Sequence, residues 1–209
     1  MSEIKVLGRL TSGNVMKVMW TLAELDLPFV REDVGGKHGG NTTSEYLALN
    51  PNGLIPTLVD GGLVLWESNT ICRYLCNRVG STRLYPEAPA ARALVERWMD
   101  WQLSTLSSRT TKYWMLTVRT PPEKRDAQAI AAARQQVADK LGLLERVLGT
   151  APYVAGAHVT LADIVFGFWA HRWFALGADQ GEFKNLRAWY ERLKARPAYD
   201  KYVVQIPIE

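Results

Sequence analysis

The sequence predicts two units of different fold class, an α/β unit over residues 1–80 and an all-α helical bundle over residues 90–209. Two observations carry this prediction. Short apolar strand candidates occur only in the first unit, where they alternate with helical segments. Beyond a linker at residues 81–89, which contains Pro86 and Pro89, the apolar residues recur at helical spacing in long runs. An α/β domain followed by a helical domain is therefore the expected architecture.

The first unit opens with the strand Ile4–Leu7, and a loop leads from it into a helix that starts near Asn14. Pro28 ends this helix because proline lacks the backbone N–H that would continue it, and Phe29–Glu32 follows as a second strand. The predicted core face of the helix carries five apolar residues at helical spacing: Val15, Val18, Met19, Leu22 and Leu25.

Two further strands are predicted at residues 55–59 and 63–66, and Asp60-Gly61-Gly62 between them is a hairpin turn signal. A glycine-rich loop at residues 35–40 and a further helix precede these strands, and a helix over residues 67–79 follows them. The resulting order, β-α-β-loop-α-β-β-α, is the one that a thioredoxin-like fold requires. We therefore predict that fold for the first unit.

Four helical segments are predicted in the second unit. The first contains Leu94, Trp98 and Trp101 and is broken at Pro121-Pro122. The others are a helix with an apolar repeat at positions 137, 141, 144 and 148, a strongly apolar helix from 160 to about 176, and a helix from 183 to 195 that Pro197 ends. Thr160 and Asp163 have the spacing of an N-terminal capping pair, so we interpret them as residues for folding and not for chemistry.

Composition and charge exclude several classes. The chain is 47% hydrophobic and 22% charged, which is typical of a globular protein. We find no apolar run of about 18 residues and no signal-peptide pattern at the N-terminus, so a cytoplasmic protein with no membrane partner is expected. The net charge of +4 is spread evenly, which argues against a nucleic-acid partner.

The two cysteines, Cys72 and Cys76, are four residues apart and would share one face of a helix. They do not form a Cys-x-x-Cys redox motif, and they supply too few ligands for a structural zinc site. We interpret them as reduced helix residues, and we expect neither a metal site nor a permanently bound cofactor.

Four stretches resemble the cytosolic glutathione transferase family, in the family's order and spacing and over nearly the whole chain. They are residues 11–18, 50–58, 65–71 and 160–164. The first resembles the serine- and asparagine-containing active-site loop of bacterial-type members. The resemblance implies that the first domain binds glutathione as a co-substrate, that the helical domain binds the second substrate, and that the protein is a homodimer.

Pro56 follows Ile55 at the start of the third predicted strand. By itself, a proline here indicates an edge position with a trans peptide bond. The resemblance implies instead that the bond is cis. The backbone N–H and C=O of Ile55 would then point away from the sheet and pair with the cysteine backbone of bound glutathione.

Glu67 and Ser68 stand where a strand ends and a helix begins. One interpretation is structural, with Ser68 as the N-cap and Glu67 as a solvated acid. The other uses the same position for binding. Free N–H groups at a helix start attract a carboxylate, the Ser68 hydroxyl adds a donor, and Glu67 would pair with the neighbouring α-amino group. The family resemblance implies the second use, at the γ-glutamyl end of glutathione.

Lys37 and His38 lie in the glycine-rich loop. They are either exposed loop charges or the groups that hold the glycyl carboxylate of glutathione. Lys37 is favoured over His38 because its charge does not change near neutral pH. The resemblance adds Asn52 as a further contact to glutathione.

The thiol of glutathione needs activation, because a free cysteine thiol with a pKa near 8.5 is mostly protonated at neutral pH. Ser12 and Asn14 begin the first helix, where free N–H groups and the helix dipole favour an anion. We predict that the Ser12 hydroxyl is the main donor to the thiolate and that the Asn14 amide assists. The alternatives are that Ser12 only caps the helix, that the two roles are inverted, or that Thr11 is the donor. The loop contains neither tyrosine nor cysteine, which disfavours the tyrosine-type classes and those that form a mixed disulfide.

The second substrate is expected to be an apolar electrophile in a pocket beside the thiolate. The candidate lining residues are Leu10, Arg109, Tyr113 and Trp114. The predicted reaction is the transfer of an alkyl or aryl group to the glutathione sulfur. A glutathione-dependent peroxidase or disulfide reductase on the same fold is the first alternative, with a peroxide or disulfide as substrate. A non-catalytic glutathione-binding or regulatory protein is an alternative of a different class.

Overall fold

The computed structural model describes residues 3–209. Its α/β domain contains one four-stranded sheet in the order β2-β1-β3-β4, with β2 parallel to β1 and the other pairs antiparallel. The strands are β1 Ile4–Leu7, β2 Phe29–Glu32, β3 Thr57–Asp60 and β4 Leu63–Trp66. The helices of this domain are α1 Gly13–Glu24, α2 Ser44–Leu49 and α3 Ser68–Arg78. This is the order of elements that the sequence predicts, and the thioredoxin-like fold is confirmed.

Two predicted boundaries in this domain are wrong by one or two residues. Strand β3 begins at Thr57 and not at residue 55, because Pro56 has no N–H to donate to the sheet. Helix α3 begins at Ser68, so the N-cap is Glu67 and not Ser68. The capping interpretation of Ser68 is therefore corrected, since the residue lies one position inside the helix.

The helical domain follows from Pro89. Its helices are α4 Pro89–Trp101, α5 Ser107–Trp114, α6 Ala127–Leu148, α7 Leu161–Ala175, α8 Lys184–Lys194 and the single turn α9 Pro197–Tyr199. Three π-helical segments extend them at residues 102–106, 115–119 and 200–204. The stretch from 89 to 119 is thus helical throughout, as predicted, and the apolar repeat of α6 is buried.

Two details of the helical domain go beyond the prediction. Helix α8 ends at Lys194, before Pro197 as predicted, and Pro197 also starts α9 after a break at Arg196, because proline favours the first helical position. Of the residues that mark the first helix, Trp98 is buried, whereas 46% of the surface of Leu94 is exposed. Val95 and Met99 are buried with Trp98 instead.

Helix α1 is buried on both sides because the sheet domain covers one face and α7 covers the other. Trp20 is fully buried, and its ring lies 4.7 Å from that of Tyr199. Close approach requires glycine on both helices. A Cβ atom on Gly13 would lie 2.1 Å from Cε2 of Phe168, and one on Gly167 would lie 2.4 Å from Cζ3 of Trp20. This contact fixes the start of α1 against the helical domain.

The capping pair at the start of α7 is confirmed. The Thr160 hydroxyl accepts from the N–H of Ala162 at 3.2 Å, and the Asp163 carboxylate accepts from the N–H of Thr160 at 2.9 Å. Asp163 is fully buried and also accepts from the N–H of Val154 and the indole N–H of Trp189. Burial raises the pKa of Asp163, and these donors oppose that rise.

Both cysteines are buried in α3 with free thiols, as predicted. Burial raises the pKa of the Cys76 thiol to about 12. Within residues 3–209, no helix combines the length and the apolar character that crossing a membrane requires.

Candidate functional site

Strand register brings the predicted site loops to one end of the sheet. Leu7, the last residue of β1, pairs with Glu32 of β2 on one side and with Thr57 of β3 on the other. Thr57 in turn pairs with Trp66, the last residue of β4. The loops that adjoin these residues carry Ser12 and Asn14, Lys37 and His38, Ile55 and Pro56, and Glu67 and Ser68. Residues up to 56 positions apart therefore lie around one sheet edge.

The first helix begins at this edge with its capping position unused. Ser12 is the N-cap of α1, with φ −78° and ψ 121°, and its side chain makes no capping hydrogen bond to the described residues. The first helical N–H with an acceptor is that of Met16, which donates to the Ser12 carbonyl at 2.9 Å. The N–H groups of the preceding turn remain available, as at any helix start. Together with the Ser12 hydroxyl and the exposed Asn14 amide, they form a cluster of donors suited to an anion.

Ser12, Gly13 and Asn14 all line a cleft of about 640 Å³ between the two domains. Thr11 is buried behind them, and its carbonyl accepts from the Arg172 guanidinium at 3.1 Å. Of the three candidates for contact with the thiolate, Ser12 and Asn14 are thus the two that face this cleft in the described part of the chain.

The bond between Ile55 and Pro56 is cis, as the resemblance implies. Among residues 3–209, neither the N–H nor the C=O of Ile55 has a hydrogen-bond partner. The loop is held from below, because the carbonyl of Leu54 accepts from the Tyr46 hydroxyl at 2.6 Å and from the Asn50 amide at 2.8 Å. A backbone donor and acceptor are therefore presented side by side on a fixed loop.

The start of α3 is also left without a side-chain cap. Glu67 is exposed and adopts φ 70°, a left-handed conformation that is uncommon for a residue with a side chain. Ser68 is 5% exposed, and its hydroxyl makes no hydrogen bond to the described residues. Such conformations persist where surrounding structure enforces them, often at binding sites. The arrangement offers N–H groups, a hydroxyl and a carboxylate to a zwitterionic ligand.

A buried lysine connects the two helix starts. Lys17 of α1 is 1% exposed, and its ammonium donates to the side chain of Asn69 at 2.8 Å. Asn69 directly follows Ser68 and donates to the carbonyl of Met99. Burial lowers the pKa of Lys17 to about 8. The sequence did not identify Lys17 as a buried residue, because a lysine on a helix is usually expected at the surface.

Each of the predicted residues for the glycyl carboxylate has a polar partner in the described chain. The ammonium of Lys37 is exposed and lies 3.5 Å from the Glu209 carboxylate. The His38 imidazole lies 3.5 Å from the Asp33 carboxylate. The Asn52 amide donates to the Asn50 side chain at 3.2 Å, within the turn that precedes Ile55.

Of the four residues predicted for the second-substrate pocket, Trp114 lines the cleft. Tyr113 borders a smaller cavity of about 20 Å³ that Trp114 also lines. Leu10 packs against the hydrophobic core, and Arg109 donates to the carbonyl of Thr105 within its own helical segment. The rest of the cleft wall comes from side chains that sequence analysis did not single out: Leu103, Ser107, Thr111, Met115, Phe168 and Trp169.

Three arginines also line the cleft: Arg9, Arg119 and Arg172. Arg172 is stacked on Trp114, with the guanidinium carbon 3.8 Å from the ring centroid. Burial, together with repulsion from Arg119 and Arg9, lowers the pKa of Arg172 to about 9. No motif marks these residues, because they come from a loop and two helices that meet only in the folded protein.

Within residues 3–209, no group of three or more histidine, cysteine, aspartate and glutamate side chains is placed to hold a metal ion.

Comparison with known proteins shows which family this chain resembles. The family model described as "Glutathione S-transferase, N-terminal domain" matches residues 11–78, and "Glutathione S-transferase, C-terminal domain" matches residues 107–197. A curated relative, glutathione S-transferase GstB of Escherichia coli strain K12, is 41% identical over 207 residues, which cover 98% of this chain and 99% of the relative. Glutathione S-transferase 3 of Zea mays is 32% identical, with 100% of this chain and 96% of the relative covered.

Among solved structures, the theta class glutathione S-transferase from Xanthomonas axonopodis pv. citri with glutathione bound superposes with a TM-score of 0.94. It is 42% identical in sequence, and the match covers 100% of both chains.

Proposed function

This chain belongs to the glutathione S-transferase family, and from that premise we propose that it is a glutathione transferase that activates the glutathione thiol with Ser12 and Asn14. The observation that carries the proposal is the uncapped start of α1. The Ser12 hydroxyl, the Asn14 amide and the free N–H groups of the first turn face the cleft without a partner in the described chain. A thiolate is the anion that this cluster would stabilise.

The proposed glutathione site uses the open sheet edge beside the cleft. The α3 start and the Ser68 hydroxyl would receive the γ-glutamyl carboxylate, and Glu67 would pair with its α-amino group. The N–H and C=O of Ile55 beside Pro56 would bind the backbone of the cysteine in a strand-like manner. At the far end Lys37, His38 and Asn52 are the proposed contacts to the glycyl carboxylate.

In the proposed reaction, the thiol of bound glutathione loses its proton to solvent. The sulfur then attacks the electrophilic carbon, a C–S bond forms, and the leaving group departs with the bonding electrons. Ser12 donates a hydrogen bond to the thiolate and Asn14 assists, because a neutral amide can stabilise the anion but cannot remove the proton. Lowering the thiol pKa by two units requires about 2.7 kcal/mol of preferential thiolate stabilisation.

Calorimetric titration with glutathione, S-methylglutathione and glutathione disulfide tests the binding site. We expect Glu67→Gln to weaken glutathione binding roughly tenfold or more, because it removes a charge-assisted contact worth about 1.5–3 kcal/mol. Glu123→Gln, which changes an exposed acid of the helical domain, is the matched control and leaves affinity unchanged. Absence of binding at millimolar ligand by the unmodified protein contradicts the proposal.

The same titration separates the alternatives. Tighter binding of glutathione disulfide than of S-methylglutathione favours a disulfide reductase, for which the bound thiolate attacks sulfur instead of carbon. Glutathione binding with no turnover of any electrophile, peroxide or disulfide favours a non-catalytic binding protein. A homodimer is proposed from family membership, and light scattering coupled to size-exclusion chromatography measures it directly.

A further inference from the structure

The cleft beside Ser12 combines aromatic walls with a concentration of positive charge. Arg9, Arg119 and Arg172 reach it from a loop and from two helices, and none of its lining side chains within residues 3–209 is acidic. No carboxylate of the described chain lies within 4.0 Å of any of these three guanidinium groups. Glu209 attracts Arg9 and Arg119 from beyond this distance, and its carboxylate lies 3.5 Å from the Lys37 ammonium.

Three like charges around one cavity repel one another and cost free energy unless an anion is bound between them. Arg172 shows this cost, since it is partly buried and its stabilising partners in the described chain are uncharged: the Thr11 carbonyl and the aromatic faces of Trp114, Trp169 and Phe168. Nε of Arg9 is buried with no hydrogen-bond partner in the described chain. Guanidinium groups that have no carboxylate partner are suited to bidentate binding of a planar anion.

The charge is greater than glutathione itself requires. In the proposed complex, the α3 start and Lys37 receive the two carboxylates of the tripeptide, on the open edge of the sheet. Arg172 and Arg119 come from the helical domain, where they adjoin Trp114 and Met115 on the wall of the cleft. They are therefore placed to contact the second substrate.

We propose that the electrophile of this enzyme carries an acidic group, a carboxylate or a sulfonate, which Arg119 and Arg172 hold with help from Arg9 while the apolar part lies against Trp114 and Phe168. This inference rests on the proposed transferase function and narrows the substrate from an apolar electrophile to an anionic one.

A matched pair of electrophiles tests the proposal. 4-Chloro-3,5-dinitrobenzoate and 4-chloro-3,5-dinitrobenzamide have the same ring, leaving group and nearly the same size, and they differ in charge. In both cases the glutathione sulfur forms a C–S bond at the ring carbon that bears chlorine, chloride leaves, and the thiol proton goes to solvent. Each kcat/KM is divided by the uncatalysed rate constant with glutathione, which removes the difference in intrinsic reactivity.

We expect the normalised value to be at least about tenfold higher for the benzoate than for the amide. Arg119→Gln should remove most of this preference by lowering the benzoate value about tenfold and changing the amide value less than twofold. Arg119 is exposed and has no hydrogen-bond or ion-pair partner in the described chain, so this variant should fold normally. Lys112→Gln removes one exposed positive charge from α5 and serves as the control for net charge, with both values unchanged.

Three outcomes contradict the inference, and each is distinguishable from failure of the transferase proposal. Equal normalised values for the two electrophiles, with both turned over, show a transferase without a preference for anions. An equal loss for both electrophiles in Arg119→Gln, with a raised KM for glutathione, assigns the arginines to glutathione. If Arg119→Gln leaves the preference for the benzoate intact, Arg119 does not bind the anionic group of the substrate. Turnover of neither electrophile counts against the transferase proposal itself.

Discussion

Helices α1 and α7 pack against each other, and both begin after a hydroxyl residue, yet the two helix starts are used differently. At α7, the Thr160 hydroxyl accepts from a helical N–H, and Asp163 three residues later accepts from the N–H of Thr160. At α1, the corresponding residues are Ser12 and Val15, and the Ser12 side chain makes no capping bond to the described residues. A helix start whose N–H groups are capped by side chains stabilises the fold. A helix start whose N–H groups are uncapped and face a cleft can bind an anion.

The two helices also bury ionisable side chains, among them Asp163 of α7 and Lys17 of α1. Asp163 accepts hydrogen bonds from Val154, Thr160 and Trp189. Lys17 has one hydrogen-bond acceptor in the described chain, the Asn69 side chain, and its pKa is lowered to about 8. The buried carboxylate of α7 accepts from several donors, whereas the buried ammonium of α1 has a single acceptor in the described chain, and desolvation disfavours the charged form of both.

The largest expected effect is the loss of stability when the capped start of α7 is changed. Asp163→Ala should lower the free energy of unfolding by about 3–5 kcal/mol, because it leaves several buried donors without an acceptor. Urea denaturation measures this loss. Asp126→Ala, which removes the exposed cap of α6, is the matched control and should cost about 1 kcal/mol. Equal losses in the two variants would mean that burial of the cap has no importance.

The second-largest expected effect is a loss of activity when the uncapped start of α1 is changed. Ser12→Ala should leave the free energy of unfolding within about 0.5 kcal/mol of the original value, since no capping bond is lost. It should lower kcat/KM roughly 100-fold and raise the pKa of the thiol of bound glutathione, because a hydrogen-bond donor to the thiolate is removed. Ultraviolet absorbance of the thiolate against pH measures that pKa. Thr11→Val is the control, and a larger loss in Thr11→Val than in Ser12→Ala would reassign the donor.

The third prediction concerns the buried lysine. Between its folded pKa of about 8 and its unfolded value of 10.5, the unfolded chain binds a proton that the folded chain has released. Stability therefore rises with pH in this window, and the full cost of burying the charge is present below pH 8. The free energy of unfolding of the original protein minus that of Lys17→Met should increase by about 1–2 kcal/mol from pH 7 to pH 9.5.

Lys112→Met, at an exposed lysine of α5, should show a flat difference over the same pH range. A flat difference for Lys17→Met as well would indicate that the ammonium is solvated in the folded protein.

The smallest expected effect comes from a substitution that gives the first turn of α1 an acid, as the first turn of α7 has. Asn14→Asp places an acid in the first turn of α1, where it should raise the free energy of unfolding by about 0.5 kcal/mol through the helix dipole. The same charge should repel the thiolate and raise the pKa of bound glutathione by about one unit, with a roughly tenfold loss of kcat/KM. Asn14→Ala removes the amide without adding charge and isolates the repulsion. A gain in both stability and activity would contradict the assignment of this helix start to an anion.

Local signals in the sequence determined most of the fold. Prolines, hairpin turn residues and apolar spacing predicted three of the four strands at their observed bounds and the capping pair of α7, because these features depend on residues near one another in the chain. Resemblance to a family supplied the cis bond before Pro56 and the candidate residues at the sheet edge. The sequence could not distinguish the uses of Ser12 and Thr160, since both are hydroxyl residues before a helix.

Tertiary structure alone decided which of these residues share a site. The register of Leu7 with Thr57, and of Thr57 with Trp66, brings the loops to one sheet edge. Packing of α7 against α1 places Arg172 against Thr11, although 161 positions separate them. The cleft and its positive charge arise from this packing between domains. No local pattern encodes it, because the free energy of such contacts depends on groups that become neighbours only when the whole chain has folded.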